Sequence, residues 1–409
     1  MPQNEDRIIA IAGAGPAGVY AAITAAQAGA QVVLIDSEET VLRQWRFGDP
    51  KPIDLTREIW DPIDQSESLV AGQKEMLGAY TRYGPGDFEA WLEENGESLE
   101  VNDDGLVTIR DGEPTAIAQF FDQVIQERGI QCLLGSALKA VDMKSTGGFW
   151  LTLADERTIQ VDRLIIAGGG LIANPSCRII EGLGHVVTEC LPALTGFQCQ
   201  DPRISGMAGP LDGERDLRIG DTDRVASRSI SIEPWGISGP AAWELSSRHA
   251  SRLEKLQGRF PLRVSWLPGG PRAAARLIDE QLRQFPQGRL GSLEHPDLPS
   301  RLWRNLVSAA KLELTRSWDS LEPPERSALV RELSACEFEV VKRKNVRSIS
   351  SVIGGVASDE IDFRTMASRR VPGLYFAGSV LEPCAIAPAD NLQIAWTTGW
   401  MAGQHAKED

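Results

Sequence analysis

Four residues near the amino end have types and spacing suited to holding a dinucleotide: Gly13, Gly15, Gly18 and Asp36. They lie within RIIAIAGAGPAGVYAAITAAQAGAQVVLID, residues 7–36. Gly13 permits a tight turn, Gly15 lets backbone approach a pyrophosphate, and Gly18 lets the following helix pack against its strand. Pro16 and Ala17 open that helix, whose free N–H groups and positive dipole favour phosphate. Asp36, 21 residues after Gly15, can accept from a ribose hydroxyl. A βα turn that binds nothing would not call for an acid there.

These residues need a strand, a helix and a second strand to position them. Ile8–Ala12 and Val32–Ile35 are the apolar runs, with an alanine-rich helical segment between them that stops at Gly29. Ser37–Tyr83 is irregular, with Pro50, Pro52 and Pro62, and reads as a long excursion with short helices, of the kind that covers a cofactor. Helix signals return at Pro85–Glu94, and Leu99–Ile109 reads as a hairpin around Asp104-Gly105. Pro114–Arg128 has an apolar face of Ile117, Phe120, Phe121, Val124 and Ile125, followed by a strand at Ile130–Leu134. A meander over 137–161 leads to a second buried strand, Arg163–Ala167, ending in Gly168-Gly169-Gly170. Three glycines there imply close approach of backbone to a ligand.

Residues 194–263 read as short strands with a helix at Gly239–His249. Gly269–Phe285, Pro299–Leu312 and Pro323–Ser334 are helix-like, and Cys336–Val340 alternates as a strand. The character of the start then returns: Val371–Phe376 is a buried strand ending at Ala377-Gly378-Ser379, and Asn391–Ala406 reads as a helix aimed at whatever that turn contacts. Similar glycine-ended strands at both ends of the chain imply one domain split by an insertion.

Composition excludes several classes. A net charge of −15 disfavours nonspecific binding to nucleic acid or anionic membrane, and Lys342-Arg343-Lys344 reads as a solvated strand end. Residues 8–35 carry no charge over 28 positions, but their glycines and strand–helix–strand pattern argue against a membrane span. The acidic start, MPQNED, is unlike a secretory leader, and six scattered cysteines without CxxC suit a reducing, cytoplasmic compartment. Four histidines and no His/Cys cluster give no metal site.

In these motifs the chain resembles flavoproteins of the glutathione reductase type, and more narrowly the BaiN/YhiN-like family of FAD-dependent oxidoreductases. The resemblance rests on GAGPAG with Asp36, on LGH at 183–185 followed by LPAL, and on GISGPAAWELSS at 236–247. It rests also on GGVASDEIDFRTMASRRVPGLYFAG at 354–378 and NLQIAWTTG at 391–399. It implies an α/β fold: a Rossmann-like FAD-binding domain (1–192 and 348–409) split by an inserted β-rich domain (193–265 and 335–347) and a small helical domain (266–334). It further implies that Gly13, Gly15, Pro16, Ala17 and Gly18 hold the FAD pyrophosphate, and that Asp36 binds the adenosine ribose. Leu138 would lie near the adenine and Gly168 and Gly169 beside the diphosphate. Gly378 and Ser379 would approach the ribitol, while Asn391, Leu392 and Gln393 aim a helix N-terminus at the flavin pyrimidine.

The chain departs from the family at the ring end. A GGGRCN stretch is replaced by RFGDPKPIDLT (46–56), Thr-His by Glu233-Pro234-Trp235, an acid by Ser379, and Gly-Gly-Tyr by Pro388-Ala389-Asp390. Glu233 and Asp390 are candidate general acids, Cys384 a candidate thiol, and Trp235, Trp396 and Trp400 candidate pocket walls. Each also reads as structural, as does His185, and no catalytic residue is assigned. The leading expectation is hydride transfer between FAD and a small organic substrate, at an activated C=C or C–N bond. NAD(P)H would act as a transient reductant, since no second GxGxxG unit is present. The alternatives are a flavin-binding sensor or partner-binding module without redox catalysis, and a flavin-dependent RNA-modifying enzyme, which the charge disfavours. Oligomeric state is not assigned.

Overall fold

Short runs of Ile, Val, Leu and Ala form strands buried on both faces, the signature of a parallel sheet covered by helices. The structure is a computed structural model that describes residues 7–47, 53–170, 174–220, 222, 225–345 and 351–408. Its contacts divide the chain into two units, Met1–Pro192 with Arg347–Asp409, and Ala193–Val346.

In the first unit we label β1 (Ile8–Ala12), α1 (Pro16–Gln27), β2 (Gln31–Ile35), α2 (Pro114–Glu127), β3 (Gln131–Leu133) and β4 (Arg163–Ile166). There follow α3 (Pro175–Gly182), β5 (Ile361–Asp362), β6 (Ala367–Ser368), β7 (Leu374–Phe376) and α4 (Pro388–Glu408). The sheet order is β5-β6-β7-β4-β1-β2-β3. The five strands from β7 to β3 are parallel, with Ala12 opposite both Ile35 and Ile166, and Ile166 opposite Phe376. β5 and β6 add an antiparallel edge. Strand order thus reverses beside β1, the place where open α/β sheets bind ligands at their carboxyl ends.

Helices α1 and α4 approach each other through small residues. A Cβ on Gly399 would lie 2.6 Å from Ala17 O, and one on Gly403 would lie 2.5 Å from Ala21 O. An aromatic group locks the helices around α1. Tyr20 meets Trp91 and Trp396 edge-on, with centroids 4.9 and 5.6 Å away, and Phe88 stacks on Trp396 at 4.5 Å. Trp396, expected as a packing residue or a pocket wall, is fully buried, and its indole N–H donates to Leu55 O at 2.8 Å. The excursion after β2 carries helices Arg43–Phe47, Pro62–Glu67 and Gln73–Tyr80. Residues 48–52 of the ring-end stretch lie outside the described residues.

The second unit is built on a sheet that closes on itself. Cys336–Val340 pairs with Phe260–Ser265, while Lys342–Asn345 pairs with Thr195–Gln198 at the other end of the strand order. Val341 alone separates these two strands, and its N–H donates to Gln198 O at 3.0 Å. One continuous segment therefore bridges both ends of the strand order, closing the sheet in the manner of an antiparallel barrel. Helices Gly270–Gln284, Ser300–Ala309 and Pro323–Ser334 share one core with barrel residues such as Leu262, Val264 and Phe338. Arg343 departs from the solvated position expected of it: its side chain is 10% exposed and pairs with Glu254. Barrel closure draws this residue inward.

Candidate functional site

The glycine turn after β1 is held from both sides. Gly13 adopts φ +119° and donates its N–H to Ile35 O at 2.8 Å. A Cβ there would lie 2.7 Å from Gly168 Cα, and a Cβ on Gly18 would collide with Gly13 O. Gly15 differs, because a Cβ there would meet nothing within 4 Å. It is the N-cap of α1 and offers no side-chain cap, with Pro16 next. The first intrahelical bond at this end runs from Val19 N–H to Gly15 O, so the N–H groups of Ala17 and Gly18 precede the ladder.

Asp36 lies at the end of β2. One oxygen accepts from Ala14 N–H in the glycine turn, and the other from Glu38 N–H at 2.8 Å. The carboxylate thus braces the turn while each oxygen keeps a further lone pair. Leu138 opens the strand Leu138–Met143, and the preceding turn joins β2 through Ser136 N–H to Asp36 O at 3.0 Å. Gly168 and Gly169 follow β4. Asn174 caps α3 and donates to Gly168 O at 2.8 Å and Gly170 O at 3.3 Å. Gly169, at φ +81°, borders open space.

Gly378, at φ +72°, donates to Thr398 Oγ1 at 2.9 Å, and a Cβ there would lie 2.6 Å from Ala17 Cβ. The structure thereby brings Gly13, Ala17, Gly18, Gly168 and Gly378 together at one helix end. Ser379 is half-buried beside them in sequence. Tight packing at Gly13, Gly18 and Gly378 with open space at Gly15 and Gly169 is a cradle that fits a pyrophosphate.

The last helix differs from expectation. It begins at Pro388, three residues before Asn391, because proline is pre-organised for a first helical position. Asn391 N–H is already bonded to Ala387 O at 3.2 Å, so the amides that precede the helical ladder lie upstream of the expected Asn391. The Asn391 side chain accepts from Ala385 N–H and donates to Ala385 O and Ala387 O, tying down the preceding loop. Gln393 is buried, accepting from Thr56 Oγ1 at 2.6 Å and donating to Thr397 at 3.1 Å. Leu392 is half-buried.

Two groupings escaped the sequence reading. Asp390 pairs with Arg57 at 3.4 Å, beside a cavity of about 10 Å³ lined by Thr56, Arg57, Gln65, Tyr80 and Gln393, room for one water. The second is His185, whose ring bonds Glu360 and Ser368. Both join residues far apart in sequence, so no local pattern announced them. A groove of about 440 Å³ also lies against the segment that follows Gly378, with Glu75, Glu189 and Glu382 in its lining. Glu382 accepts from the N–H and Oγ of Ser358 at 2.9 and 2.6 Å.

The remaining candidates are shared between the two units. Glu233 accepts from Ser231 Oγ at 3.0 Å within the barrel unit. Cys384 is buried, and burial pushes its thiol up to about 12, an inert state. The Trp235 indole lies over Gly196, whose added Cβ would meet it. Trp400 stacks on Tyr83 with centroids 4.8 Å apart. Among the described residues no group of His, Cys, Asp and Glu could hold a metal ion, and no helix is long and apolar enough to cross a membrane.

Compared with known families, residues 7–405 match the HI0933-like protein Rossmann domain. The chain belongs to the HI0933-like family. It is 25% identical over 406 residues to a ribosomal RNA dihydrouridine synthase of Escherichia coli K12, covering 96% of each chain. It is 22% identical over 411 residues to a 3-dehydro-bile acid delta(4,6)-reductase of Clostridium scindens, covering 98% of this chain and 99% of that one. In fold it resembles a 3-ketosteroid-delta4-(5alpha)-dehydrogenase from Rhodococcus jostii RHA1, with a TM-score of 0.51 at 13% identity, covering 99% of this chain and 98% of the other. This HI0933-like protein is an FAD-dependent oxidoreductase with a Rossmann fold, and FAD is its cofactor. FAD supplies hydride transfer when bound, and the chain supplies binding, orientation and control of water and protons around it.

Proposed function

We propose that this HI0933-like protein reduces a small, non-anionic organic substrate at an activated C=C or C–N bond, with NAD(P)H as a transient reductant. The observation that carries the reading is the convergence of three glycine-ended strands on the open N-terminus of α1. In this reading Gly13, Gly15, Pro16, Ala17 and Gly18 hold the pyrophosphate, with Gly168 and Gly169 on its other side. Asp36 and the turn before Leu138 receive the adenosine. Gly378 and Ser379 meet the ribitol, and the segment Asn391, Leu392 and Gln393 places the start of α4 toward the pyrimidine. A helix N-terminus there stabilises negative charge on a reduced ring. The domain assignment goes with this: 1–192 and 348–409 carry FAD, 193–265 and 335–347 form the β-rich insert, and 266–334 its helical part. The compartment is cytoplasmic.

The groove supports a small uncharged or cationic substrate. Three carboxylates in its lining repel phosphate and carboxylate groups, as does the overall charge of −15. The test is the visible spectrum of the purified protein, followed by anaerobic addition of NADH or NADPH. Oxidised-flavin bands that bleach on addition support the reading. Colourless protein that takes up no added FAD would sink it. Flavin that binds but stays oxidised would instead point to a sensor or partner-binding role.

A second reading, action on RNA, is favoured by one relative's name and by the charge distribution. The acidic excess resides in the first unit, whereas basic residues slightly outnumber acidic ones in Ala193–Val346. Salt-sensitive retention of RNA by the purified protein would support it, and absence of retention at low salt would remove it.

A further inference from the structure

His185 is a buried titratable group of the first unit that the proposed chemistry leaves unused. Its side chain is 0% exposed. Nδ1 lies 2.8 Å from Glu360 Oε2, and Nε2 lies 2.9 Å from Ser368 Oγ. Ser368 Oγ also accepts from the N–H groups of Arg370 at 3.0 Å and Val371 at 2.8 Å.

Those bonds fix the proton positions. Two N–H donors use both lone pairs of the Ser368 oxygen, so its own proton must go to His185 Nε2. Nε2 is therefore unprotonated, and Nδ1 carries the hydrogen donated to Glu360. The same Glu360 oxygen accepts from Val186 N–H at 3.0 Å, and the other pairs with Arg370 at 2.6 Å. Every group is satisfied with a neutral ring. A second proton on Nε2 would face the Ser368 hydroxyl with no lone pair to receive it. Ser368 would then have to release one of its backbone partners.

The network also joins the segments that converge on the cradle. His185 follows α3, whose cap holds Gly168 and Gly170. Next to it, Val186 O accepts from Ala357 N–H at 3.0 Å, and Val356 N–H donates to Val380 O at 2.8 Å, two residues beyond Gly378. Its ring packs edge-on against Phe376 of β7, with centroids 5.0 Å apart.

We propose that His185 is a proton-operated latch: neutral, it clamps the β5–β6 hairpin and the turn 368–371, and protonated, it releases the clamp and loosens the cofactor cradle. The cofactor half of this proposal rests on the functional reading above. Burial pushes the imidazole below its ordinary value; Glu360 acts against this and Arg370 with it, and these are the charged groups acting on the ring among the described residues. The latch thus stays closed at neutral pH and opens on the acid side.

Hydrogen exchange read by mass spectrometry over residues 366–374, corrected for intrinsic pH dependence, tests the latch directly. From about pH 8 to about pH 5 the amides of Arg370 and Val371 should lose about tenfold or more in protection, since a buried bond is being given up. His185→Gln should remove the step. Arg370→Met, at a residue whose side chain is 53% exposed, should keep the fold and move the step to higher pH. Flat wild-type protection, or an unmoved step in Arg370→Met, overturns the latch. Fluorescence of released FAD should rise over the same interval, and retention that ignores the step overturns the coupling to the cradle. Protein that takes up no FAD at pH 8 would refute the functional reading, while the exchange data would still decide the latch.

Discussion

Gly378 and Ala17 stand so close that a Cβ on the glycine would sit 2.6 Å from the alanine's own. A turn at the end of β7 is thus seated on the first helical turn after β1, although the two are separated by most of the chain. Gly378→Ala adds that clash to a backbone held at φ +72°. It should destabilise the protein by about 1–3 kcal/mol and weaken FAD binding together with stability. Thermal unfolding and a flavin titration on the same sample measure both.

Gly15 should behave differently. Its φ is −77°, which any residue adopts, and its Cβ would enter open space. Gly15→Val should therefore leave the melting temperature of the FAD-free protein nearly unchanged, yet cut FAD affinity by tenfold or more on an order-of-magnitude scale, by filling the phosphate approach. Equal affinity in the variant would mean that the pyrophosphate lies elsewhere.

Tyr20 and Tyr83 bond each other through their hydroxyls inside the aromatic core. Tyr83→Phe leaves a buried hydroxyl unpaired and should cost about 1–3 kcal/mol in urea unfolding. Replacing both with Phe removes both polar atoms and should recover much of that loss. Additive single effects would show that the pair contributes through packing alone.

Glu89 on the helix Pro85–Glu94 has a buried oxygen without a hydrogen-bond partner. Burial, with Glu58 and Glu93 nearby, raises its carboxyl to about 7. A folded value above the unfolded one means the folded state holds the proton longer. Stability should fall as pH rises from about 4.5 to about 7. Glu89→Gln should gain about 1 kcal/mol at pH 8, after allowance for screening of a half-exposed group, and nothing at pH 4. Denaturant midpoints at the two pH values check the sign.

Cys199, Cys336 and Cys384 are buried, and burial pushes each thiol up to about 12. Alkylation of native protein at pH 8 should spare all three and modify them only after unfolding.

Much of this was legible in the sequence because it is local. The spacing of Gly13, Gly15, Gly18 and Asp36, the run Arg163–Gly170 and the strand before Gly378 each carry their own periodicity and glycine stops. The start of α4 was displaced because apolar spacing begins at Asn391, whereas Pro388 sets the first turn. Arg57 with Asp390, and His185 with Glu360 and Ser368, could not be read, since each residue alone resembles any surface charge or turn residue. Only sheet order brings β6 beside β7 and so Ser368 to His185. Barrel closure was equally hidden: Cys336–Val340 shows its alternation, but not which edge its continuation would join.

That closure has a consequence for how the insertion is tethered. Thr195, near its first residue, pairs with Asn345, near its last. The inserted piece therefore begins and ends at neighbouring rungs of its own ladder, like a pouch with a drawn neck. Excision at the neck should therefore leave residues 193–346 able to fold by themselves, and a cooperative melt of that fragment is the expected outcome.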